Sequence, residues 1–300
     1  MDINRGTMNA LFQGFSKRFM DGFGMAPEQW QRFSQIERSG AALNIYPFLE
    51  QFAGMGEWLD ERQIKNVKSQ KLSVANRKFE DTVAIPRDDL EDDQYGVYGG
   101  IVQQMGLNAG KVWHDLVMEL ITVNAATAKW ADGQVFFKVD RTYGANVINN
   151  KGTAVLSAVA YKAARKAMRE FKGHNGKCLG VNPNLLVCGP SNEEAAFDIL
   201  KNELVIAGNA NKKNVWYGSS DMLILPELSG DYANHWFLMD SSAVLKPVIV
   251  QQRKDPVLVR LDNDSDESVF MRDQYVYGTT ARGAAAFSMP HLVYGGLAAA

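Results

Sequence analysis

Two short segments of the chain carry residue types that could bind a phosphate or a metal ion. The segment Gly173-His174-Asn175-Gly176-Lys177-Cys178 resembles a phosphate-binding loop, but its spacing is two residues short and Cys178 replaces the Ser or Thr that would hold magnesium. The segment Asp262-Asn263-Asp264-Ser265-Asp266 has the alternating carboxylates of a calcium loop without the Gly at position six or the Glu at position twelve. We predict a helix-terminating turn for the first segment and a solvated hairpin tip for the second.

The remaining nucleophiles and metal-ligand types are scattered along the sequence. No Gly-x-Ser-x-Gly motif occurs, neither cysteine has a histidine close in sequence, and the adjacent Asp88 and Asp89 would point apart on a helix. The four histidines are widely separated, at His114, His174, His235 and His291. We therefore predict no catalytic, metal-binding or cofactor-binding residue and a protein that is not an enzyme. A hydrolase is the alternative class, which any turnover would reveal.

The charge balance argues against a dedicated nucleic-acid-binding protein. The 32 basic and 34 acidic side chains nearly cancel, so the chain lacks the positive field that non-specific binding to DNA requires. Cys178 and Cys188 are too few for a disulfide framework and are typical of reduced thiols in an intracellular product. No signal peptide and no apolar run of about 20 residues is present, so we expect no membrane partner.

Residues 1–57 are predicted to form an arm with one short helix. Phenylalanines recur at helical spacing on this segment, at Phe12, Phe15 and Phe19. A segment of this size cannot bury these rings by itself. They must therefore pack either on the body of the same subunit or on a neighbour.

Residues 58–86 are predicted to form a projecting β-hairpin. Two extended stretches, 63–72 and 78–85, carry few large apolar groups, and the second places Phe79, Val83 and Ile85 at intervals of two. The hairpin is basic, with positive side chains at Arg62, Lys65, Lys68, Lys71, Arg77 and Lys78. It cannot contain a core of its own, so we expect it to extend from the body.

A long amphipathic helix is predicted from about residue 94 to Ala128. An acidic cluster precedes it, formed by Asp88, Asp89, Asp92 and Asp93, and these carboxylates would complement the positive end of the helix dipole. Apolar residues then recur at intervals of three and four, including Val102, Met105, Ala109, Val112, Leu116 and Leu120. A helix of this length would span on the order of 45 Å.

The second half of the chain alternates helix and strand patterns and predicts an α+β module. After a Gly- and Asn-rich junction with one strand at 135–139, an alanine-rich helix is predicted for 153–171 and a strand for 185–188. A capping box at 191–194 opens a helix to Leu204. Further strands are predicted at 222–225 and 236–239, and a hairpin with an acidic tip joins 257–261 to 269–277.

Three stretches of sequence also carry a family resemblance. The first runs through Trp58-Leu59-Asp60-Glu61-Arg62, Ser73-Val74-Ala75-Asn76-Arg77-Lys78-Phe79-Glu80, Ile85-Pro86-Arg87-Asp88-Asp89 and Glu91-Asp92-Asp93. The second comprises Phe237-Leu238-Met239-Asp240, Leu245-Lys246-Pro247 and Gln251-Gln252-Arg253. The third comprises Val269-Phe270-Met271, Tyr277-Gly278 and Arg282-Gly283-Ala284-Ala285. Together they resemble the Mu-like prophage major head subunit family over about residues 55–290.

The resemblance implies the α+β major capsid fold of tailed phages and herpesviruses. In that fold the chain would divide into an N-terminal arm at 1–57, an extended β-hairpin loop at 58–86, a peripheral domain with a long spine helix at 87–152, an axial domain at 153–246, and a return to the peripheral domain and C-terminus at 247–300.

The implied function is that of a major capsid protein in the virion of a tailed bacteriophage. Such a chain assembles with itself, as pentamers and hexamers, into an icosahedral shell around double-stranded DNA that it contacts without sequence specificity. A portal protein is an implied partner, with a decoration protein and a maturation protease as further ones, and assembly takes place in the host bacterial cytoplasm. The chain starts almost at the arm, so we expect either a separate scaffolding protein or a scaffold segment that has already been removed.

Other particle components remain as alternatives. An encapsulin-like compartment shell would bind an enzyme cargo, a tail-tube protein would lack the long helix, and a decoration protein is a third possibility. For a shell, we predict that the basic hairpin of one subunit lies over the acidic helix entry of its neighbour, because opposite charges set register and hasten encounter. If both clusters are instead solvated faces, they make no contact. The predicted contact residues are Arg62, Lys65, Lys68, Arg77, Lys78, Asp88, Asp89, Asp92, Asp93, Phe12, Phe15 and Phe19.

Overall fold

The computed structural model describes residues 5–49, 69–92, 96–144, 146–173, 176–207 and 210–299. Within this part of the chain the helices are α1 (Arg5–Phe23), α2 (Arg87–Glu91), α3 (Val97–Ile121), α4 (Ala158–Glu170), α5 (Glu193–Leu200) and α6 (Glu267–Arg272). The strands are β1 (Ser34–Arg38), β2 (Leu43–Leu49), β3 (Ser69–Ala75), β4 (Arg77–Pro86), β5 (Arg141–Tyr143), β6 (Asn146–Ile148), β7 (Lys151–Gly152), β8 (Leu185–Cys188), β9 (Leu204–Ala207), β10 (Ala210–Lys213), β11 (Asp221–Ile224), β12 (His235–Met239), β13 (Val248–Lys254), β14 (Leu258–Leu261), β15 (Gln274–Phe287) and β16 (Val293–Leu297).

One five-stranded sheet combines strands from both ends of the chain. β1 pairs in parallel with β13, and β13 pairs antiparallel with β15, which also pairs with β14 and with β4. Along much of β15, buried residues alternate with partly exposed ones, as expected when one face of a strand is covered. Tyr275 and Tyr277 lie on the covered face, in a core shared with α1 and α3.

A second five-stranded sheet has the order β11-β8-β12-β16-β7. Every residue of β8 is buried, and so are residues 236–239 of β12. Continuous apolar runs of this kind are typical of strands covered on both faces. The predicted strand at 185–188 is confirmed exactly, and those at 222–225 and 236–239 are confirmed to within one residue.

The helices α1 and α3 pack at very short range. A Cβ atom on Gly106 would overlap the backbone carbonyl oxygen of Phe19, and one on Gly22 would overlap the carbonyl oxygen of Gln103. Glycine at these two positions therefore allows the two backbones to touch. This contact holds α1 against the body, so residues 5–23 form a docked helix, longer than the short arm helix predicted from sequence.

The long helix is confirmed, but both of its predicted ends are wrong. α3 has 25 residues and spans about 37 Å. It ends at Ile121, where the Thr122 hydroxyl donates to the carbonyl oxygen of Met118 and a turn follows. At the other end Gly96 adopts a left-handed conformation, and Asp88 and Asp89 lie in the first turn of the separate helix α2. They complement the dipole of α2 and not that of α3.

The predicted pairing of the hairpin is also wrong. β3 pairs antiparallel with β2, whereas β4 pairs along its whole length with β15. β2 contains Pro47, a residue that strands tolerate at the edge of a sheet. The hairpin is therefore formed by β2 and β3, and residues 50–68 between them lie outside the described residues.

Four smaller predictions need correction. Residues 135–139 form no strand beyond a single bridge at Val135, because the Asn150 side chain occupies backbone groups that a strand would pair, donating to the Phe136 carbonyl oxygen and accepting from the Lys138 N–H. The capping box at 191–194 does not form, since a 3-10 turn at Pro190–Asn192 precedes α5, which ends at Leu200. The alanine-rich helix starts later than predicted, at Ala158 in α4. β14 and β15 do pair, but the predicted strand at 269–272 belongs to α6.

Candidate assembly surfaces

The aromatic side chains of the arm pack on their own subunit. Phe15 and Phe19 are buried, and the Phe15 ring meets the Tyr277 ring edge-on with 5.1 Å between centroids. Phe12 is partly exposed, with the Arg260 guanidinium stacked 4.4 Å above its centroid. Of the two alternatives left by the sequence, the described residues support packing on the body for Phe15 and Phe19. A contact with a neighbouring subunit stays a prediction for Phe12.

The predicted basic residues separate into two groups. Arg62, Lys65 and Lys68 lie outside the described residues. Arg77 and Lys78 are on β4 and not on the hairpin, and Arg77 already forms an ion pair with Glu119 of α3 at 2.6 Å. Lys78 is exposed. Of the two described basic residues, Lys78 is therefore the better placed to meet a neighbour.

The acidic residues form an exposed surface at the far end of β4. Asp88, Asp89 and Asp92 are all exposed on or next to α2, whereas Asp93 is not among the described residues. The nearby Arg87 side chain bonds within the helix to Glu91, at 3.4 Å. Lys78 lies about 30 Å along β4 from this surface. Lys78 and the carboxylates therefore cannot neutralise each other within one chain.

The root of the β2–β3 hairpin contains a polar network that the sequence did not predict. Its centre is Gln251 of β13, whose side chain is fully buried. The Gln251 Oε1 atom accepts from Tyr46 Oη at 2.8 Å, and Nε2 donates to Asn76 Oδ1 at 2.6 Å and to the Val74 carbonyl oxygen at 3.3 Å. No motif marks such a network, because its members come from distant parts of the chain.

The first predicted ligand loop is a turn after a helix. Residue 173 donates its backbone N–H to the Lys177 carbonyl oxygen at 2.9 Å, and Lys172 bridges to Cys178 just after the end of α4. This is the helix-terminating turn that the sequence predicted, although His174 and Asn175 are not described.

The second predicted ligand loop is less exposed than predicted. Asp264 and Ser265 are exposed, as expected for a solvated tip, whereas Asp262 is buried and bonded to Arg260 at 3.2 Å, so the prediction is wrong for Asp262. Burial raises the Asp262 pKa, and the neighbouring Arg260 opposes that rise. Asp266 Oδ2 accepts from the backbone N–H of Asn263 at 2.9 Å, which closes the loop on itself.

A cavity of about 560 Å³ brings Cys178, Asp240 and His291 into one lining. The Asp240 carboxylate accepts hydrogen bonds from the backbone N–H groups of Asn182 and Ser242 at 2.8 and 3.0 Å. Burial lowers the pKa of His291 to about 4, so its ring is neutral at pH 7. These bonds tie loops together, which is a structural role for Asp240.

No group of three or more potential metal ligands occurs among the residues that the structure describes. Cys178 and Cys188 are both free thiols, and burial raises the pKa of the Cys188 thiol to about 12. Such a thiol is protonated at pH 7 and is not an activated nucleophile. None of the described helices is long and apolar enough to cross a membrane.

Comparison with known proteins identifies the class that this arrangement belongs to. The sequence profile of the family described as Mu-like prophage major head subunit gpT matches residues 8–154, 143–228 and 227–299. The chain is 31% identical to the Mu-like prophage FluMu major head subunit of Haemophilus influenzae, over 99% of this chain and 76% of that protein. It is 26% identical to the major capsid protein of Escherichia phage Mu, over 96% of this chain and 72% of that protein.

Solved structures show the same fold. The procapsid of bacteriophage JBD30 superposes with a TM-score of 0.60 and 28% identity, over 98% of this chain and 75% of that one. The long helix on a sheet, the second sheet and the hairpin are thus the α+β fold of a tailed-phage capsid subunit. The chain belongs to the Mu-like prophage major head subunit family. It is a structural head protein that forms the shell of a tailed phage, and it is part of the virion capsid.

Proposed function

We propose that the chain assembles as pentamers and hexamers into an icosahedral shell that encloses the phage genome. The observation that supports this is the β2–β3 hairpin, whose two strands pair over seven residues and whose root is bonded to the body through Gln251 of β13. A hairpin that reaches a neighbour adds contact area without a large flat interface. Many modest contacts let misassembled subunits dissociate, while the closed shell is stable through their sum.

We propose the module boundaries predicted from sequence, with three changes. The arm ends at residue 42 and the projecting segment becomes 43–75, because β2 is the first strand of the hairpin. β4 belongs to the peripheral sheet, where it pairs with β15, and β16 belongs to the axial sheet, where it pairs with β12. The other limits, 87–152 for the peripheral domain and 153–246 for the axial domain, are kept. The axial domain would surround the fivefold and sixfold axes.

The partners of such a subunit follow from the same role. We propose that it assembles in the host bacterial cytoplasm with a scaffolding protein, meets a portal protein at one vertex, and lines a compartment for double-stranded DNA without reading its sequence. A formal net charge of -2 supports this, because a strongly basic lining would bind DNA tightly and impede its packaging and release. A decoration protein and a maturation protease are further proposed partners, whereas no cofactor, catalytic activity or membrane is proposed.

Negative-stain electron microscopy tests the proposal. The chain is expressed alone and with a scaffolding protein from the same kind of phage, and particles are imaged after size fractionation. We expect closed shells, or rings of five and six subunits, in at least one of the two conditions. Monodisperse monomers in both conditions would contradict self-assembly.

A further inference from the structure

The β2–β3 hairpin is fixed to the body along one face of its root. Leu72 and Val74 of β3 are buried in the main core, whereas Ser73 between them is exposed. Leu116 and Leu120 of α3 and Ala284 of β15 belong to the same buried cluster. These apolar contacts stabilise the docked hairpin. They do not fix its angle, because the hydrophobic effect has little directionality and the hairpin could tilt on an apolar surface.

Gln251 adds directional bonds at this contact. Its amide holds both strands, accepting from Tyr46 of β2 at 2.8 Å and donating to Val74 of β3 at 3.3 Å. It also donates to Asn76, which follows β3 and in turn donates to the carbonyl oxygen of Ala41, just before β2, at 2.8 Å. One buried side chain therefore connects both ends of the hairpin root to β13.

A buried amide at this position is not required for packing. The two residues before it on β13, Ile249 and Val250, are apolar and equally buried, whereas the next residue, Gln252, is a second buried amide; β13 thus accepts either type of side chain in the core. Burying an amide has a desolvation cost unless its hydrogen bonds are made, and the three side-chain hydrogen bonds of Gln251 all go to the hairpin root. The side-chain bonds of this residue therefore all restrain the hairpin, whereas its backbone belongs to the sheet between β1 and β15.

A small change of angle at the root is amplified along the hairpin. Seven residues of extended strand span about 23 Å, so a rotation of about 5° at the root displaces the far end of β2 and β3 by about 2 Å. A hydrogen bond tolerates a displacement of only a few tenths of an ångström. The angle at which the hairpin meets a neighbour therefore depends on the root bonds.

We propose that Gln251 is a positioning residue that fixes the direction of the β2–β3 hairpin and thereby the curvature of the shell. The inference rests on the proposed contact between the hairpin and a neighbouring subunit. It assigns to Gln251, Tyr46 and Asn76 a role in shell geometry that is separate from their contribution to folding.

Two measurements on Gln251→Ala test the proposal. In shells made with the same scaffolding protein as the unaltered chain, cryo-electron microscopy should show a broadened diameter distribution, with a severalfold smaller fraction at the original diameter. In unassembled subunits, amide hydrogen exchange should be severalfold faster in β2 and β3. Tyr46→Phe removes one bond and keeps the ring, so we expect smaller changes in the same direction from a variant that folds.

Asn150→Ala is the matched control for lost stability. Asn150 is a fully buried amide whose side chain donates to the carbonyl oxygen of Phe136 at 3.1 Å and accepts from the Lys138 N–H at 2.9 Å, away from the hairpin. We expect both Asn150→Ala and Gln251→Ala to lower the melting temperature by a few degrees, and we expect Asn150→Ala to leave the shell diameter and the exchange in β2 and β3 unchanged.

The possible outcomes separate the inference from the function on which it rests. Unaltered diameters and unaltered exchange in both Gln251→Ala and Tyr46→Phe would overturn the inference even if all proteins form shells. If the unaltered chain forms no shell, the proposed assembly is wrong. Amide hydrogen exchange in unassembled subunits then still tests the positioning role, which would be overturned if exchange in β2 and β3 were unchanged in the two variants. Equal effects from Asn150→Ala would also overturn it, because they would reduce the role to general stability.

Discussion

His291 is a histidine that the fold keeps neutral. It lies in the turn at Pro290–Leu292 before β16, it is almost completely buried, and desolvation lowers its pKa to about 4, although the charge of Asp240 opposes the shift. An ordinary histidine has a pKa of about 6.5. The unfolded chain therefore binds a proton between these two pH values that the folded chain does not.

This difference predicts how the stability of the unassembled subunit depends on pH. Because the folded pKa is depressed, the stabilisation is fully present above pH 6.5 and is lost as the pH falls towards 4, by about 2–3 kcal/mol from this residue. Urea unfolding at half-unit pH steps measures the slope. The slope between pH 6.5 and 4 should be shallower in His291→Gln than in the unaltered chain, and equal slopes would show that His291 does not titrate in this way.

At the scale of the elements, glycines decide how α1 packs on α3. Gly106 brings the α3 backbone against Phe19 of α1, whereas the Cβ position of Gly100, on the same helix, has no atom within 4 Å apart from the neighbouring backbone of α3. The two positions differ in what surrounds them and not in the secondary structure. They therefore form a matched pair for testing the helix contact.

Alanine at the two positions should have opposite effects on the free energy of unfolding. Gly106→Ala must push the two backbones apart, and we expect a loss of about 1–3 kcal/mol. Gly100→Ala adds a better helix former in open space, so a gain of up to about 1 kcal/mol is expected. Denaturant unfolding measures both values. A neutral Gly106→Ala would mean that α1 does not pack on α3 at this distance.

The elements also show which parts of the fold the sequence could predict. β8 and α3 were predictable because their apolar patterns reflect their own burial. The pairing of β3 with β2, and of β4 with β15, was not, since strand partners far apart in sequence leave no local signal. The polar network at the hairpin root could not be predicted for the same reason, because Tyr46 and Gln251 are 205 residues apart and meet only in the folded chain.

The candidate contact residues were predicted unevenly for related reasons. The exposure of Asp88, Asp89 and Asp92 follows from their charge, and the structure agrees. Whether Phe15 packs on its own subunit or on a neighbouring subunit depended on Tyr277, which belongs to a strand near the other end of the chain. Helical spacing marked Phe15 as buried but could not indicate which surface covers it.

At the scale of the whole molecule, the exposed charges at α2 have no matching basic residue within reach on β4. We predict that they meet the basic hairpin of a neighbouring subunit, where they would raise the rate of association and make it sensitive to salt. The double variant Asp88→Lys and Asp92→Lys should assemble several-fold more slowly at low salt, as followed by light scattering. Raising the salt should reduce the difference between the variant and the unaltered chain.

A matched control reverses two carboxylates elsewhere on the surface. Glu193 and Glu194 lie in the first turn of α5, in the second half of the chain. If Glu193→Lys and Glu194→Lys slows assembly as much as the α2 variant does, the effect reflects net charge. If neither variant changes assembly at any salt concentration, the acidic surface is a solvated face and the predicted contact does not exist.

A cryo-electron microscopy reconstruction of the shell formed by this chain, at a resolution that traces the backbone, tests the proposed assembly. We expect rings of five and six copies around the axial domain, with each β2–β3 hairpin extending past its own subunit onto a neighbour near α2. A shell in which the hairpin folds back on its own subunit, or is far from every neighbour, would rule out the proposed hairpin contact.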